Sequence, residues 1–326
     1  MAYTPETTYP RLVGDIGGTN ARFAWLESAG SPLSDVDTLA VASYPALIDA
    51  MRHYLTTHGK PAPRQCAIGI ANPVTGDHVQ MTNHDWSFSI SGVRDQLGLD
   101  RFLVINDFTA LALALPTLAA QDVRQVGGGS PVPDAAIGLL GPGTGLGVSG
   151  LLPGPGGRGV VAVNGEGGHV TLAPTDALED AVVSALRQRF GHASAERALS
   201  GPGLVNLYDA VCGVHGVAAV PLQPGEVSQR ALQATDAQCV QALQLFCSFL
   251  GNAAGNLALL LGARGGVYVG GGIAPQLGRW LDGSPFRERF EGKGRFRPYL
   301  QTIPTFVLQA HVSPALAGAA RALDQL

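Results

Sequence analysis

The sequence is poor in charge and in cysteine, and both shortages exclude whole classes of protein. Charged residues make up 14% of the 326 residues, the net charge is −4, and no run of Lys or Arg occurs. Because nucleic-acid-binding proteins carry basic patches, we expect no nucleic-acid partner. The four cysteines form no CxxC pair and no zinc-knuckle spacing. This scatter predicts reduced core thiols in a cytoplasmic protein.

Uninterrupted apolar runs of membrane-spanning length are also missing. The longest apolar stretch, residues 240–263, contains two Gln, two Asn and three Gly. Such a composition predicts a buried helix rather than a membrane span. Residues 1–10 carry no apolar segment of the kind that secretory signals need. We therefore expect no membrane partner.

Glycine, in contrast, is abundant, and its 44 residues cluster beside apolar runs. Two such clusters, 15–20 and 141–145, each separate a pair of predicted strands, at 12–26 and at 136–152. Helical spacing follows at 44–57, 108–115, 177–190 and 193–200, whereas 121–133 is predicted to be a Gly/Pro-rich loop. Strands that alternate with helices predict an α/β fold with mixed sheets, and the length allows two lobes.

Both glycine turns have the composition of phosphate-binding loops. Glycines let backbone N–H groups approach phosphate oxygens, and small hydroxyl side chains add donors. A single turn of this kind also fits an ordinary hairpin, but two in one chain favour a nucleotide. The chain has no Walker A motif. Gly145, Gly147 and Gly150 do satisfy G-x-G-x-x-G, but a strand rather than a helix is predicted after them, so we interpret this match as accidental.

Asp15 lies within the first glycine turn, where a carboxylate would repel phosphate. A divalent cation between the two would remove that conflict, so Asp15 is a candidate for orienting a hydrated Mg²⁺. The alternative is a turn residue whose side chain bonds its own backbone.

Three further polar groups are candidates for chemistry. Asn106-Asp107 follows a predicted strand and begins a helix, where Asp107 is either a helix cap or a general base that deprotonates a hydroxyl. Glu166 and His169 lie in a glycine-rich segment and could form a tight turn or half of a metal site. Glu196 precedes Ser200-Gly201-Pro202-Gly203 and could equally be an exposed helix carboxylate.

Over nearly its whole length the chain resembles the proteobacterial type of the bacterial glucokinase family, which has the actin-like ATPase fold. Seven segments carry the resemblance, in this order: LVGDIGGTNARFAWLE (12–27), IANPVTGDHVQMTNHDWSFSI (70–90), INDFTALALALP (105–116), GPGTGLGVSGLL (141–152), GEGGHVTLAP (165–174), ERALSGPGLVNLY (196–208) and GGVYVGGGIAP (265–275). The zinc motif of the related repressor-and-kinase sugar family is absent.

The resemblance implies a role for each matching residue. Asp107 corresponds to the catalytic base. The hexose ligands correspond to Asn106, Asp107, Glu166, His169 and Glu196, with Asn83 in a segment that lines the cleft. The nucleotide-binding positions correspond to Gly14, Asp15, Ile16, Gly17, Gly18, Thr19, Gly141, Gly143, Thr144, Gly145, Gly270, Gly271 and Gly272.

The resemblance also implies a two-lobed α/β fold of the actin-like ATPase (ribonuclease H-like) type, with mixed sheets and a cleft between the lobes. The small lobe is expected at 1–109 plus 311–326, and the large lobe at 110–310. ATP with Mg²⁺ would phosphorylate the 6-hydroxyl of glucose, in a homodimer. The alternatives are a kinase of another hexose, a non-catalytic sugar sensor, and a dinucleotide-dependent oxidoreductase that only the G-x-G-x-x-G match favours.

Overall fold

The structure is a computed structural model that describes residues 8–82, 84–157, 159–309 and 313–325. The chain divides into two compact units, the first formed by 1–119 with 310–326 and the second by 120–309. The division follows Ala119 rather than residue 109, where the sequence placed it. The reason is a helix, Asp107–Ala114, which packs against the C-terminal helix Pro314–Gln325 and therefore belongs wholly to the first unit.

A five-stranded mixed sheet forms the centre of the first unit, in the order β3-β2-β1-β4-β7. Strand β1 pairs antiparallel with β2 and parallel with β4, and β4 pairs parallel with β7. A small hairpin, β5 with β6, lies outside this sheet. The strands are β1 (Arg11–Ile16), β2 (Asn20–Leu26), β3 (Ser34–Ala40), β4 (Gln65–Ile70), β5 (His78–Gln80), β6 (Ser87–Ser89) and β7 (Arg101–Asn106).

Helices cover both faces of this sheet because its central strands are apolar on both sides. Leu12, Phe23 and Ile68 belong to a core with α1 (Leu47–Thr57) and α2 (Ile90–Leu97). Neighbouring residues on the opposite face, Val13 and Ala67, pack against the C-terminal helix. Alternate side chains of a strand point to opposite faces, so a strand that is buried on both sides reads as a continuous apolar run.

Helix α3 (Asp107–Ala114) lies in unusually close contact with its neighbours at Ala110. A Cβ on Gly69 of β4 would lie 3.0 Å from the Cβ of Ala110 and 3.3 Å from the Cα of Asp107. A Cβ on Gly318, in the C-terminal helix, would overlap the carbonyl oxygen of Ala110. Two glycines thus allow the strand and the C-terminal helix to approach α3 on both sides, and the position of Asp107 follows from that packing.

The second unit is built on a six-stranded mixed sheet with the order β11-β10-β9-β12-β13-β8. Strands β9 and β12 pair in parallel, as do β12 and β13, and the remaining pairs are antiparallel. The strands are β8 (Val123–Val126), β9 (Ile137–Pro142), β10 (Leu146–Pro153), β11 (Val160–Asn164), β12 (Val267–Val269) and β13 (Thr305–Leu308).

One large core, centred on the long helix α7 (Ala237–Leu261), holds the second unit together. By length and composition α7 could cross a membrane. However, 61% of its most apolar 18-residue stretch is buried inside the structure, as expected of a core helix. The helices are α4 (Ala177–Phe190), α5 (Gly201–His215), α6 (Pro224–Leu232), α7 (Ala237–Leu261), α8 (Ile273–Gln276), α9 (Phe286–Glu291) and α10 (Arg297–Gln301) in this unit, and α11 (Pro314–Gln325) in the first.

The two units repeat one topology, which agrees with the two strand–turn–strand patterns of the sequence. In each, an antiparallel meander of three strands is followed by two parallel strands, giving β3-β2-β1-β4-β7 and β11-β10-β9-β12-β13. In each, the glycine turn joins the first strand to the second.

Two local predictions were wrong. Residues 121–133 are not entirely loop, because β8 forms there by pairing with β13. Residues 193–200 do not form a helix: only a short 3₁₀ turn, Ala195–Arg197, is present, and Ser200 caps the next helix, α5, through a hydrogen bond from the Gly203 amide.

Candidate active site

In the first unit, three parallel strands end in register at one edge of the sheet. Ile16 at the end of β1 pairs with Ile70 of β4, and Ile70 pairs with Asn106 of β7. Neighbouring strands lie about 4.8 Å apart, so the start of the glycine turn and Asn106 are separated by roughly 10 Å. The carboxyl edge of parallel strands is where α/β proteins bind ligands. The structure thus brings the first glycine turn and Asp107 to the same edge.

The first glycine turn is a short connection between β1 and β2. The Gly17 amide donates to the carbonyl oxygen of Asn20 (2.9 Å), and the carbonyl oxygen of Thr19 accepts from the Val41 amide (2.9 Å). Thr19 is exposed, whereas Ile16 is buried in the core. Gly14 is also buried, and a Cβ there would lie 2.8 Å from Ile68, so packing within the sheet already requires glycine at this position.

Asp15 already has two partners within the first unit. Its Oδ2 accepts a hydrogen bond from the Ser313 hydroxyl (2.7 Å) and lies 3.3 Å from Nη1 of Arg22. No group of three metal-ligating side chains occurs in the part of the chain that the structure describes. A single carboxylate that is partly committed to an arginine fits a hydrated cation, held through water and by the ligand's own phosphates.

Asn106, and not Asp107, is the N-cap of α3. Its Oδ1 accepts from the amides of Phe108 (2.9 Å) and Thr109 (3.2 Å), and its Nδ2 donates to the carbonyl oxygen of Asn72 (3.5 Å). Asp107 is the first helical residue and is partly exposed, and its Oδ1 accepts from the Phe108 amide (2.9 Å). The helix N-terminus favours a negative charge at this edge of the sheet.

Asn72 is a site residue that the sequence did not single out. Its side chain accepts from the amide and the hydroxyl of Thr82 (2.7 Å each) and donates to the carbonyl oxygen of Gln80 (2.6 Å). Its own carbonyl oxygen accepts from Asn106. Asn72 therefore links the end of β7 to the segment that precedes Asn83, the predicted hexose contact, which lies outside the described residues.

In the second unit, the glycine turn lies against the glycines that follow β12. Gly143 donates to the carbonyl oxygen of Gly145 (2.8 Å), and Thr144 is exposed. The Gly270 amide donates to the carbonyl oxygen of Leu140 (2.8 Å). Gly271 has φ +74°, and a Cβ there would overlap the carbonyl oxygen of Pro142.

These contacts bring together 141–145 and 270–272, the two segments of this unit that the resemblance assigns to nucleotide binding. They also supply a packing reason for glycine at 271. At Gly272, by contrast, a Cβ would meet no heavy atom of the described residues within 4 Å. Gly145, Gly147 and Gly150 lead into strand β10, so the G-x-G-x-x-G match has no helix after it and the dinucleotide interpretation loses its structural support.

Glu166 and His169 are exposed on a short 3₁₀ turn that packs against β10. This packing depends on glycine: a Cβ on Gly167 would lie 2.8 Å from Val148, and a Cβ on Gly168 would overlap the carbonyl oxygen of Leu146. The glycines thus hold the two polar side chains at the start of β10.

Glu196 approaches the start of β10 from a different segment of the chain. Its Oε2 accepts from the Leu146 amide (2.9 Å). The segments that carry His169 and Glu196 are themselves paired, because the Ala195 amide donates to the carbonyl oxygen of Val170 (2.8 Å). The segments that carry the predicted hexose ligands of this unit therefore meet at Leu146, because Gly168 packs against its carbonyl oxygen and Glu196 accepts from its amide. That convergence depends on tertiary contacts, and no spacing in the sequence indicates it.

Solved sugar kinases share this fold. A glucokinase from an Antarctic psychrotroph is 35% identical, with a TM-score of 0.88, covering 97% of this chain and 99% of that one. A ROK family glucokinase from Streptomyces griseus, solved with glucose and AMPPNP, has a TM-score of 0.65 at 20% identity, covering 96% of this chain and 99% of that one. The fold is that of the sugar kinases of the actin-like ATPase class.

Sequence similarity narrows the class to one family. The glucokinase family model matches residues 12–326. A glucokinase from Aromatoleum aromaticum is 54% identical over 318 residues, which cover 97% of this chain and 95% of that protein. The chain belongs to the glucokinase family of kinases.

Proposed function

We propose that this protein transfers the γ-phosphoryl group of ATP to the 6-hydroxyl of D-glucose, giving glucose 6-phosphate and ADP. The observation that carries the proposal is the shared sheet edge of the first unit, where the glycine turn after β1 and Asp107 after β7 stand two strands apart. A phosphate loop and a carboxylate at this spacing suit attack by a hydroxyl on a terminal phosphate. Membership of the glucokinase family supports the choice of substrate.

Asp107 acts as the general base. It takes the proton of the 6-hydroxyl as the oxygen attacks the γ-phosphorus and the bond to the β–γ bridging oxygen breaks, so that ADP leaves. Capping of α3 by Asn106 and the close packing at Ala110 fix the backbone of this residue. A fixed carboxylate is effective because little reorganisation is needed at the moment of transfer.

The proposed hexose ligands bind the sugar hydroxyls through hydrogen bonds. Asn106 offers its amide, and Glu166, His169 and Glu196 offer two carboxylates and an imidazole from segments that meet at Leu146. Asn83 completes the set from its own segment. Carboxylates and amides bind vicinal hydroxyls at two points each, which favours a sugar over an apolar substrate.

The backbone amides of the two glycine turns hold the phosphates, and 270–272 leave room for adenosine. Mg²⁺ bound with ATP would neutralise phosphate charge, and Asp15 would orient it through water. The hydrogen bonds of Asp15 with Ser313 and Arg22 keep its carboxylate aligned for that contact.

Replacement of Asp107 tests the proposal. Asp107→Asn keeps the size of the side chain but removes the base, so kcat for glucose should fall by about 10²–10⁴-fold, while glucose binding stays measurable by calorimetry. The exposed carboxylate Asp95 of α2 gives a matched control, since Asp95→Asn should leave kcat unchanged. Near-normal phosphorylation by Asp107→Asn in a coupled assay would show that another group is the base.

A second candidate is a kinase of a different hexose, because hydroxyl ligands of this kind could also serve an epimer. A panel of glucose, mannose and other hexoses, assayed with ATP, ADP and polyphosphate as donors, separates these possibilities. Binding of a hexose without turnover for any donor would instead support a non-catalytic sugar sensor.

We further propose a cytoplasmic homodimer. All four cysteines are free and buried, which suits a reducing compartment. Light scattering behind size exclusion measures the mass directly, and a monomer across the working concentration range would contradict the dimer.

A further inference from the structure

Glu196 contacts more than the proposed hexose. Its Oε2 accepts the hydrogen bond of the Leu146 amide (2.9 Å), and Leu146 is the residue that directly follows the second glycine turn. A charged acceptor makes this bond stronger than one between two neutral groups. One carboxylate thus lies between the sugar ligands and the loop that would hold phosphate.

Gly145 shows how closely the carboxylate approaches the turn. A Cβ on Gly145 would lie 2.5 Å from Oε2 of Glu196 and 3.3 Å from its carboxyl carbon. At Gly143, two residues earlier, a Cβ would meet no heavy atom within 4 Å. Gly145 therefore accommodates Glu196, whereas no neighbouring atom among the described residues requires glycine at 143.

The segment that carries Glu196 holds the same turn a second time. The Gly201 amide donates to the carbonyl oxygen of Gly143 (2.8 Å). Ser200 joins the two contacts, because its hydroxyl donates to the carbonyl oxygen of Glu196 (2.8 Å) and accepts from the Gly203 amide at the start of α5. Gly143 and Leu146, at the two ends of the turn, are thus hydrogen-bonded to the segment 196–201, which leads into α5.

We propose that Glu196 is a positioning residue for the phosphate turn and couples hexose binding to nucleotide binding through its hydrogen bond to Leu146. The inference rests on the proposed function, in which the same carboxylate binds a sugar hydroxyl. A hexose that orders the Glu196 side chain also orders the turn, so the hexose and the nucleotide bind each other's complex more tightly. Such coupling is reciprocal and is measured as a ratio of affinities.

The test compares Glu196→Gln with Glu196→Ala by calorimetry, using AMPPNP with and without glucose. Gln keeps a carbonyl acceptor for Leu146, so AMPPNP affinity without glucose should stay within about twofold of wild type while glucose affinity falls. Ala removes the acceptor, so AMPPNP affinity without glucose should fall about three- to tenfold, and the tightening by glucose should disappear. The Leu146 amide proton resonance should shift upfield in Glu196→Ala.

His169→Ala is the matched control, because it removes a proposed sugar ligand and leaves the hydrogen bond between Glu196 and Leu146 in place. It should weaken glucose binding and leave AMPPNP affinity without glucose unchanged. If Glu196→Ala behaves like His169→Ala, with unchanged AMPPNP affinity, the positioning role is overturned and the proposed function stands. If wild-type protein binds AMPPNP but no hexose, the proposed function itself fails.

Discussion

Asn106 uses the two ends of one amide for two tasks. Its Oδ1 is committed to the first turn of α3, where it accepts from two backbone amides. Its Nδ2 carries two hydrogens, of which one is directed at the carbonyl oxygen of Asn72, and the proposed function assigns the other to a sugar hydroxyl. Stability and sugar affinity should therefore depend on different atoms of the same side chain.

Replacement of Asn106 by Ser or Ala separates these tasks. Serine is a good N-cap but has no amide, so Asn106→Ser should keep the free energy of unfolding and lose glucose affinity. Asn106→Ala should lose both, with a cost of about 1 kcal/mol in stability. Urea denaturation and the KM for glucose measure the two effects. Equal stability of the Ala and Ser variants would show that the cap contributes nothing.

At the scale of elements, the position of α3 depends on two neighbouring glycines, which have no side chain to keep their backbones away from it. Gly69 on β4 and Gly318 on α11 let those elements approach Ala110 from two sides. Since Ala110 lies one turn after Asp107, any displacement of α3 at this point also moves the proposed base.

Opposite outcomes are expected for glycine replacements in two helices. Gly318→Ala places a methyl group on the carbonyl of Ala110, so we expect destabilisation of about 1–3 kcal/mol together with a loss of turnover. Gly213→Ala, in α5, meets no atom within 4 Å and should stabilise the protein by about 0.5–1 kcal/mol, with turnover unchanged. Thermal unfolding and the coupled assay measure both. A stable, fully active Gly318→Ala variant would contradict the close contact.

Local sequence patterns were sufficient to predict the strands that end at glycine turns. Strands β1, β2, β9 and β10 are apolar runs that end at glycine turns, and all four were predicted from that pattern. β8 was missed because its short sequence becomes a strand only through its pairing with β13. Residues 193–200 were predicted to be helical, but Ser200 is instead the N-cap of α5, which begins at Gly201.

The candidate site also contains some residues that local sequence indicates and others that only tertiary contacts reveal. Local sequence patterns indicate Asp107 and the glycine turns as candidates, because strand ends and phosphate turns have local signatures, whereas the roles assigned to them come from the family resemblance. Gly69 and Gly318 could not be predicted as partners, since they meet at Ala110 from distant parts of the chain. Asn72 lies two residues after the end of β4, and a polar side chain at that place is the one local signal that indicates it.

At the scale of the whole molecule, the four cysteines lie in two separate cores. Cys66 lies in the first unit, whereas Cys212, Cys239 and Cys247 lie in the second. Burial raises the pKa of all four thiols, to about 12 for Cys239 and Cys247. Because the thiolate is the reactive form, these side chains should be inert while the units stay folded.

Native protein at pH 8 should therefore react slowly with Ellman's reagent, and all four thiols should react once the chain is unfolded in denaturant. The raised pKa values also set a pH dependence. An unfolded thiol has a pKa of about 8.5, so the thiols' contribution to stability is complete below that pH and decreases as the pH rises towards 12. Denaturation midpoints measured between pH 8 and pH 10.5 should fall. A thiol that reacts rapidly in native protein would contradict its burial.

The first unit is discontinuous in the chain, and this has a consequence for biosynthesis. Its strands and α3 are made first, but α11, which covers Val13 and Ala67 and contacts α3 at Gly318, is made only after the whole of 120–309. At ribosomal rates that interval lasts about 10–40 s. Throughout it the nascent sheet has one uncovered apolar face, which makes it a natural client for chaperones, and the proposed base acquires its final support only when translation is nearly complete.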